Sequence, residues 1–331
     1  FAHISDTHGG GLILKDIGAL DIDCIIHSGD IANGNGGDLP PTTWYQFFDR
    51  MNEAIDTNGN HIPILAVLGN HEIKGASSGM QHTSSIVGVK PDFATGKRGD
   101  SEWYYGFFPT FSGLRGYDAI HFGDYASVFM IDPGITTLMD DGQDIWLDTT
   151  LGITDTAHKI VVQHYDVFPL GRRPMFSYYN KIREVFCPIW EKHNVISLFG
   201  HSHVAGRTVP IINGGVNLND AYEDANGIVY LSASSASAQL GRNPHTKWWI
   251  EKSFASKWVY FDFEQEGYVG TGGNLEEREP HELDGSEFEP NDAIGWWEIE
   301  LDNTQRTRRY HNQNKNIMDE FVLKYLFNKY M

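Results

Sequence analysis

Short apolar stretches recur along the first two thirds of the chain, and each ends in a polar turn. Residues 25–26, 64–68 and 195–199 are mostly apolar and rich in β-branched side chains. Stretches of this length and composition predict short buried β-strands. In open sheets, ligands bind beyond the carboxyl ends of the strands. The polar turns therefore stand where a functional site is expected.

Helical periodicity alternates with these strands. Apolar positions at helical spacing, Trp44, Phe47, Phe48 and Met51 among them, predict core-facing helices. The predicted helices are 41–54, one that begins at 142–148, and 178–193. The other predicted strands are 126–131, 159–162, 228–231, 258–263 and 296–301. An acidic loop is predicted at 276–292.

Five of the polar turns carry side chains that bind metal ions. They are Asp6-Thr7-His8, Gly29-Asp30, Gly69-Asn70-His71, Gln163-His164 and Gly200-His201-Ser202-His203. Carboxylate, imidazole and amide oxygen form a mixed donor set, which suits Mn, Fe, Zn, Co or Ni better than Mg or Ca. Two divalent ions that share a carboxylate can clamp both oxygens of an in-line displacement at phosphorus. We therefore predict a dinuclear site with Asp30 as the shared carboxylate.

The order Asp-x-His, Gly-Asp, Gly-Asn-His-Glu, His and Gly-His-x-His resembles the calcineurin-like metallophosphoesterase superfamily. The resemblance runs from Phe1 to about Val204, and the last strands are weakly similar to purple-acid-phosphatase-like members. It implies an α/β fold, a four-layer α/β/β/α sandwich of two mixed sheets with flanking helices. We expect a single catalytic domain over 1–331, with a substrate loop inserted at about 75–116 and a β elaboration at about 205–331.

The resemblance also implies a role for each motif residue. One metal ion would be held by Asp6, His8, Asp30 and His203, and the other by Asp30, Asn70, His164 and His201. His71 would stay free of metal and protonate the leaving oxygen or stabilise charge on the phosphoryl group. A metal-bridging hydroxide would attack phosphorus in line, with no phosphorylated protein intermediate. Two divalent ions are expected as cofactors, manganese first among them.

At three positions the chain differs from two branches of the superfamily, and these differences limit the activities that the resemblance implies. Purple acid phosphatases carry a tyrosine where this chain has Asn33, and they usually have glycine in place of His8. A purple ferric centre is therefore not expected. Protein serine/threonine phosphatases carry an arginine where this chain has Leu68, so that activity is not expected either.

Two residues beside the motifs are expected to have lesser roles. Glu72 is predicted to support neighbouring ligands rather than to bind metal itself. Asp166 either orients His164 or lies in a solvated loop, and the sequence favours the loop.

Substrate contacts are predicted from two further segments. The Gly-rich stretch 75–116 contains Trp103 and Tyr105, which we predict as part of a substrate-pocket wall together with Tyr104 and Arg115. The alternative is a packed surface segment without substrate contact. Arg172 or Arg173 is predicted to brace a phosphate oxygen. The alternative for that pair is ordinary solvation.

Composition limits the class of partner. The 331 residues carry a formal net charge of -19 and no cluster of Lys and Arg, which argues against nonspecific nucleic-acid binding. No apolar stretch reaches the roughly 18–20 residues of a membrane span, so we expect a soluble protein, cytoplasmic or exported. Cys24 and Cys187 predict buried thiols rather than a disulfide framework. Because Phe1 is not an initiator residue, we expect that a segment preceded it.

Three functions are compatible with the sequence. The complete ligand set favours a metal-dependent phosphomonoesterase or phosphodiesterase for small organic phosphates. A nuclease of the same superfamily is the first alternative, and the acidic composition disfavours it. A noncatalytic metal-binding scaffold is the second, and the intact His71 and ligands disfavour it. The native substrate, compartment and oligomeric state stay open.

Overall fold

The computed structural model of the chain describes residues 1–11, 13–32, 42–73, 88–97, 99–108, 114–139, 142–168, 170, 177–213, 221–233, 250–254, 295–302, 305–312 and 314–324. The α-helices of this part are α1 Leu14–Gly18, α2 Thr42–Met51, α3 Glu102–Phe107, α4 Gln143–Ile153 and α5 Ser177–His193, and a 3₁₀ turn covers Asn70–Glu72. The strands are β1 Ala2–Ile4, β2 Ile25–His27, β3 Ile64–Ala66, β4 Asp118–Phe122, β5 Ala126–Met130, β6 His158–Val162, β7 Ile196–Phe199, β8 Ala205–Thr208, β9 Ile211–Ile212, β10 Tyr222–Glu223, β11 Tyr230–Ser232, β12 Ile250–Phe254, β13 Gly295–Leu301, β14 Gln305–Asn312 and β15 Ile317–Lys324.

Two mixed sheets form the centre of the fold. The first has the strand order β15-β14-β13-β1-β2-β3, and the second has the order β12-β8-β11-β7-β6-β5-β4. In the first sheet β1, β2 and β3 are mutually parallel, with Ala2 level with Ile25 and Ile25 level with Ile64. In the second, β5, β6, β7 and β11 are parallel. Parallel neighbours bring their carboxyl ends to the same edge.

The last strands complete the first sheet rather than forming a separate unit. β13 pairs antiparallel with β1, and β14 and β15 follow as antiparallel neighbours. The prediction of a strand over 296–301 is confirmed, whereas its position beside the first strand of the chain was not predicted. The predicted strand at 258–263 and the predicted loop at 276–292 lie outside the described residues.

The core lies between the two sheets and beneath the helices. One apolar cluster takes Ile26 and Trp297 from the first sheet and Val128, Ile160 and Leu198 from the second, so the two sheets pack face to face. A larger cluster includes the buried faces of the helices, such as Trp44 and Phe47 of α2. Burying a large apolar side chain contributes about 1.5–3 kcal/mol. The predicted α/β arrangement of two mixed sheets with flanking helices is therefore confirmed.

Most predicted elements appear within a few residues of their expected bounds. The helix predicted over 41–54 ends at Met51, and the strand predicted over 228–231 begins at Tyr230. Cys24 and Cys187 are buried thiols, as predicted. Among the described residues, no helix has both the length and the apolar character that crossing a membrane requires. The single-domain assignment, with its loop at 75–116 and its elaboration at 205–331, stays a prediction.

Candidate metal centre

The polar turns of the sequence meet where the parallel strands of both sheets end. Asp6 and His8 follow β1, and Asp30 follows β2. His164 follows β6 and His201 follows β7 in the other sheet. Since the sheets pack face to face, the turns at these carboxyl ends lie next to one another.

Two groups of donor atoms converge in this region. The first contains Asp6, His8, Asp30 and His203, and the second contains Asp30, His164 and His201. Within each group the donor atoms all lie within 4.8 Å of one another. Asp30 belongs to both groups, as a carboxylate shared between two ions must. Asn70 joins the second group, because its Oδ1 lies 3.0 Å from His164 Nε2.

The donor set fits divalent cations. His8 Nε2 and His203 Nε2 face each other at 3.0 Å, and His201 Nδ1 lies 3.1 Å from His164 Nε2. His164 Nε2 is also 3.3 Å from Asp30 Oδ2. These imidazole nitrogens and carboxylate oxygens outnumber the ring protons available to form hydrogen bonds between them. A cation placed among them can accept lone pairs from all of them. The candidate metal-ligand residues of the sequence are thus brought together in the structure.

The backbone carries these side chains in a rarely populated conformation. The φ angles are 51° at Asp6, 47° at His8, 55° at Asp30, 71° at His201 and 58° at His203. Elsewhere in the described part of the chain, only Asn194 and Lys315 share a positive φ among residues other than glycine. Such strain costs about 1–3 kcal/mol per residue and clusters at functional sites. Packing at the strand ends therefore forces the side chains inward.

Two glycines let the turns approach closely. A Cβ on Gly69 would stand 2.1 Å from the Asp30 backbone nitrogen. A Cβ on Gly200 would stand 1.8 Å from Ser5 Oγ and 2.7 Å from Asp6 Oδ2. No side chain fits at either position, which accounts for glycine in both motifs.

Buried hydrogen bonds set the tautomers of two histidines. His164 Nδ1 lies 2.8 Å from the Ser28 carbonyl oxygen, to which it donates, so its Nε2 is left as the acceptor that faces the site. His27 Nδ1 accepts the Gly29 N–H at 3.1 Å, so His27 Nε2 donates to Thr7 Oγ1 at 3.0 Å. His27 thereby ties the Asp6-Thr7-His8 turn to the Gly29-Asp30 turn. The sequence placed it beside the motifs without showing this link.

Electrostatics keeps Asp6, Asp30 and His8 in the forms that bind cations, whereas it favours the protonated form of His164. Burial is the largest single effect and would raise the pKa of both Asp6 and Asp30, but the nearby histidines together outweigh it, His203 foremost at Asp6 and His164 foremost at Asp30. The pKa of Asp6 falls to about 2, and that of Asp30 lies well below its usual range. Burial lowers the pKa of His8 to about 4. For His164, burial is the largest effect and opposes the charge, yet Asp30, with Asp6 and the Ser28 carbonyl, raises the pKa to about 9. Cation binding at this position therefore competes with a proton.

Glu72 holds the turns after β2 and β3 together. Its buried carboxylate accepts the backbone N–H groups of Gly69 at 2.7 Å, Ala32 at 2.9 Å and Asp30 at 3.0 Å. Burial first, and the charge of Asp30 second, raise the pKa of Glu72 to about 8. The carboxylate belongs to neither group of convergent donors. It joins the turn after β2 to the turn after β3.

Replacing Glu72 with Ala is expected to destabilise the protein by about 3 kcal/mol or more, because three buried N–H groups lose their acceptor. Glu72→Gln retains one acceptor oxygen and should fall between the two. Urea unfolding monitored by tryptophan fluorescence measures the difference. Glu53→Ala is the control, since that carboxylate is exposed and paired only with Arg50, and it should change stability by less than about 0.5 kcal/mol. Equal stability of Glu72→Ala and wild type would contradict this role.

The expectation that Asp166 lies in a solvated loop is wrong. Asp166 is fully buried, and its carboxylate accepts hydrogen bonds from Ser202 Oγ at 2.9 Å and from the Tyr179 hydroxyl at 3.4 Å. Ser202 stands between His201 and His203. Asp166 therefore anchors the turn that carries two candidate ligands, which sequence spacing did not reveal.

His71 lies beside the donor groups but belongs to neither. Its backbone N–H donates to Asp30 Oδ1 at 2.7 Å, and its Nε2 is 3.9 Å from Asp30 Oδ2. The centres of the His71 and His8 rings lie 4.7 Å apart in an edge-to-face arrangement, and the His71 side chain is 23% exposed. An imidazole held at the rim of a cation site can reach a bound ligand from the solvent side.

Two of the residues predicted to line the substrate pocket are buried in the core. Tyr105 is 1% exposed and its hydroxyl bonds Thr136 Oγ1 at 2.7 Å, so it is a core residue, and the placement contradicts its predicted contact with substrate. Tyr104 is likewise buried, with its hydroxyl donating to the Ala66 carbonyl at 2.9 Å. Trp103 is partly buried and stacks on Phe107, and its contact with substrate stays a prediction. Arg172, Arg173 and Asn33 lie outside the described residues.

Comparisons with known proteins agree with this geometry. A sequence model of the calcineurin-like phosphoesterase family matches residues 1–205. No curated protein matches the chain. Among solved structures, the chain is similar to a purple acid phosphatase from yellow lupin (Lupinus luteus) seeds, with 16% identity and a TM-score of 0.63 over 98% of this chain and 53% of that one.

Two further structures share the fold. A dimetal phosphatase from Danio rerio has 11% identity and a TM-score of 0.53, with 98% of each chain covered. GAP50, described as the anchor in the inner membrane complex of Plasmodium, has 15% identity and a TM-score of 0.56, with 98% of this chain and 88% of that one covered. The chain spans about half the length of the lupin enzyme. At such identities, the likeness shows the fold alone.

Proposed function

The chain belongs to the calcineurin-like phosphoesterase family, and from this premise we propose that it hydrolyses small organic phosphate esters at a dinuclear metal centre. The observation that carries the proposal is the position of Asp30 in both groups of convergent donors. A shared carboxylate is what a pair of closely spaced ions needs. The family match and the buried donor set support the same conclusion.

Each donor group is proposed to hold one ion. Asp6, His8, Asp30 and His203 would bind the first, and Asp30, Asn70, His164 and His201 would bind the second. Mn²⁺ is the proposed metal, with Fe, Zn, Co and Ni as alternatives of similar ligand preference. When bound, such a pair draws charge from the phosphoryl oxygens and lowers the pKa of a bound water.

The protein side chains supply position and proton transfer. Hydrolysis forms one P–O bond to the oxygen of water and breaks the P–O bond to the leaving group. We assign to His71 the proton that the leaving oxygen gains, because its ring lies at the rim, outside both donor groups. Asp30 Oδ1 holds the backbone of His71 and so fixes the position of its ring.

Charge favours small substrates. The net charge of -19 repels polyanions at long range, so a nuclease is the weaker alternative. The likeness to GAP50, whose description is that of an anchor, favours a scaffold as a second candidate. Against it stands the complete set of buried donors, which a scaffold would not need to keep in strained backbone. Monoester and diester hydrolysis are both compatible with the geometry.

Metal removal tests the proposal. Protein stripped with a chelator should lose hydrolysis of p-nitrophenyl phosphate and bis-p-nitrophenyl phosphate, and resupplied Mn²⁺ should restore it. Fe, Zn, Co, Ni and Mg are compared in parallel, and the ratio of the two rates ranks monoester against diester. If ions bind but no metal supports turnover of either compound, the general phosphoesterase proposal fails and the scaffold gains weight.

A further inference from the structure

Three arginines cluster between the two sheets. Arg207 lies on β8, and Arg306 and Arg308 lie two residues apart on β14. The guanidinium carbons of Arg207 and Arg308 lie 4.4 Å and 5.0 Å from the centre of the same ring, that of Phe321 on β15. Asp319 pairs with Arg207 at 2.7 Å. We call Arg207, Arg306 and Arg308 the arginine cluster.

Arg308 is the member of the cluster with unpartnered donor atoms. It is 1% exposed, and within the described part of the chain its Nε and Nη1 atoms have no hydrogen-bond partner. Its strand neighbours at the same level are apolar, Ile299 on β13 and Phe321 on β15. An aromatic ring offsets about 2 kcal/mol of a desolvated cation's cost, far less than burying an unpaired charge takes. An anion that accepts from the unpartnered N–H groups of Arg308 would offset this cost.

Arg306 and Arg308 lie at the opposite end of the strands from the metal centre, whereas Arg207 on β8 is level with Leu231 and Leu198, near the carboxyl end of β7. Arg306 Nε donates to His158 Nδ1 at 3.3 Å, and His158 begins β6, whereas His164 follows the end of that strand. In the other sheet, Ile299 lies level with Arg308 and donates its N–H to Phe1, which precedes β1. At about 3.3 Å per residue, five residues of β1 and its extension separate Phe1 from Asp6 by roughly 16 Å. An anion held by Arg308 at this end would therefore not touch Asp6.

We propose that the arginine cluster binds a small oxyanion, such as inorganic phosphate, between the two sheets. Arg308 would donate an unpartnered Nε–H or Nη1–H to an oxygen of the anion, a charge-assisted hydrogen bond of the kind that guanidinium makes with phosphate and carboxylate. Arg207 and Arg306 add positive charge nearby. Burial, and then the charges of Arg306 and Arg207, lower the pKa of Arg308 to about 9, so the group is still cationic at neutral pH.

Access comes from the rim of the cluster. The side chains of Arg207 and Asp319 are 13% and 6% exposed, so their ion pair lies close to the surface. In this proposal the anion would enter beside Arg207, which is more exposed than Arg308. The net charge of -19 slows such an approach at long range, but three arginines outnumber Asp319 locally and favour capture.

Thermal unfolding of the full-length protein with and without phosphate tests the site. Wild type should gain about 2–4 °C in Tm at saturating phosphate, relative to chloride at equal ionic strength. Arg308→Met should lose most of this gain while any effect of phosphate at the metal centre stays. Arg309→Met is the matched control, because Arg309 is the next residue on the same strand, faces the opposite side and is paired with Glu298 and Glu300. It should keep the full phosphate response.

A second variant guards against misfolding. Arg308→Lys keeps the charge but loses the planar guanidinium donors, so its phosphate shift should fall between those of wild type and Arg308→Met. Equal phosphate shifts in wild type, both Arg308 variants and Arg309→Met would overturn the proposal. So would the absence of any phosphate-specific shift in wild type. Neither result depends on whether the protein hydrolyses phosphate esters.

Discussion

Asp30→Asn is expected to lower kcat/KM for p-nitrophenyl phosphate by about 10³-fold or more, equivalent to about 4 kcal/mol. Asp30 belongs to both donor groups, so the change weakens both proposed ion sites at once. An amide keeps the size of the side chain and retains an oxygen that accepts the His71 N–H. The fold should therefore survive while metal binding falls. Steady-state kinetics and metal content of the purified variant measure the two effects.

A surface carboxylate provides the control for this change. Asp148 lies on α4, is 37% exposed, pairs with Lys192 and His193, and belongs to neither donor group. Asp148→Asn should bind metal and turn over substrate like wild type. If Asp30→Asn also kept full metal content and turnover, the assignment of Asp30 as the shared ligand would be wrong.

His71→Ala is expected to keep its metal and lose about 10²–10⁴-fold in kcat on phenyl phosphate. The ring is absent from both donor groups, so its removal leaves the proposed ligands in place. A proton donor matters most when the leaving group is a poor one. The loss should therefore be much smaller with p-nitrophenyl phosphate, whose leaving oxygen departs readily without protonation. Comparing kcat for the two substrates isolates the proton transfer.

Metal analysis and an exposed histidine complete that experiment. His71 touches the His8 ring at 4.7 Å, so metal content must be measured to exclude an indirect loss of ligand geometry. His61→Ala removes an exposed histidine and should behave like wild type. Equal losses on both substrates would contradict the role of proton donor and leave His71 as a group that stabilises phosphoryl charge.

The sequence predicts the centre of this protein well because the information there is local. Each candidate ligand lies within a few residues after a short apolar strand. Parallel strands bring their carboxyl ends to the same edge of the sheet, so these residues come together. Asp30 shows this best, since its position follows from the strand at 25–27 and the glycine before it. The same reasoning places His164 and His201 at the matching edge of the second sheet.

Three residues whose surroundings the sequence did not predict are buried in the structure. Asp166 looked like a loop residue, yet it is buried under Ser202 and Tyr179, partners that lie 36 and 13 residues away along the chain. Tyr105 stood in a Gly-rich stretch that favoured a pocket wall, but Thr136 takes its hydroxyl into the core. Arg308 is one of three arginines within four residues of the sequence, and only the packing of both sheets shows that its charge is enclosed. Such contacts depend on tertiary structure rather than on neighbouring residues.

The place of β13 beside β1 has a consequence for how the chain is made. A ribosome adds about 5–20 residues per second, so roughly 5–20 s pass between residue 205 and the first residue of β13. Throughout that interval, the strand that leads to Asp6 has β2 on one side and lacks its β13 neighbour on the other. Open strand edges recruit other strands. We therefore expect the nascent chain to be most prone to aggregation in one interval. It begins once all candidate ligands have been synthesised and ends when β13 and β14 emerge.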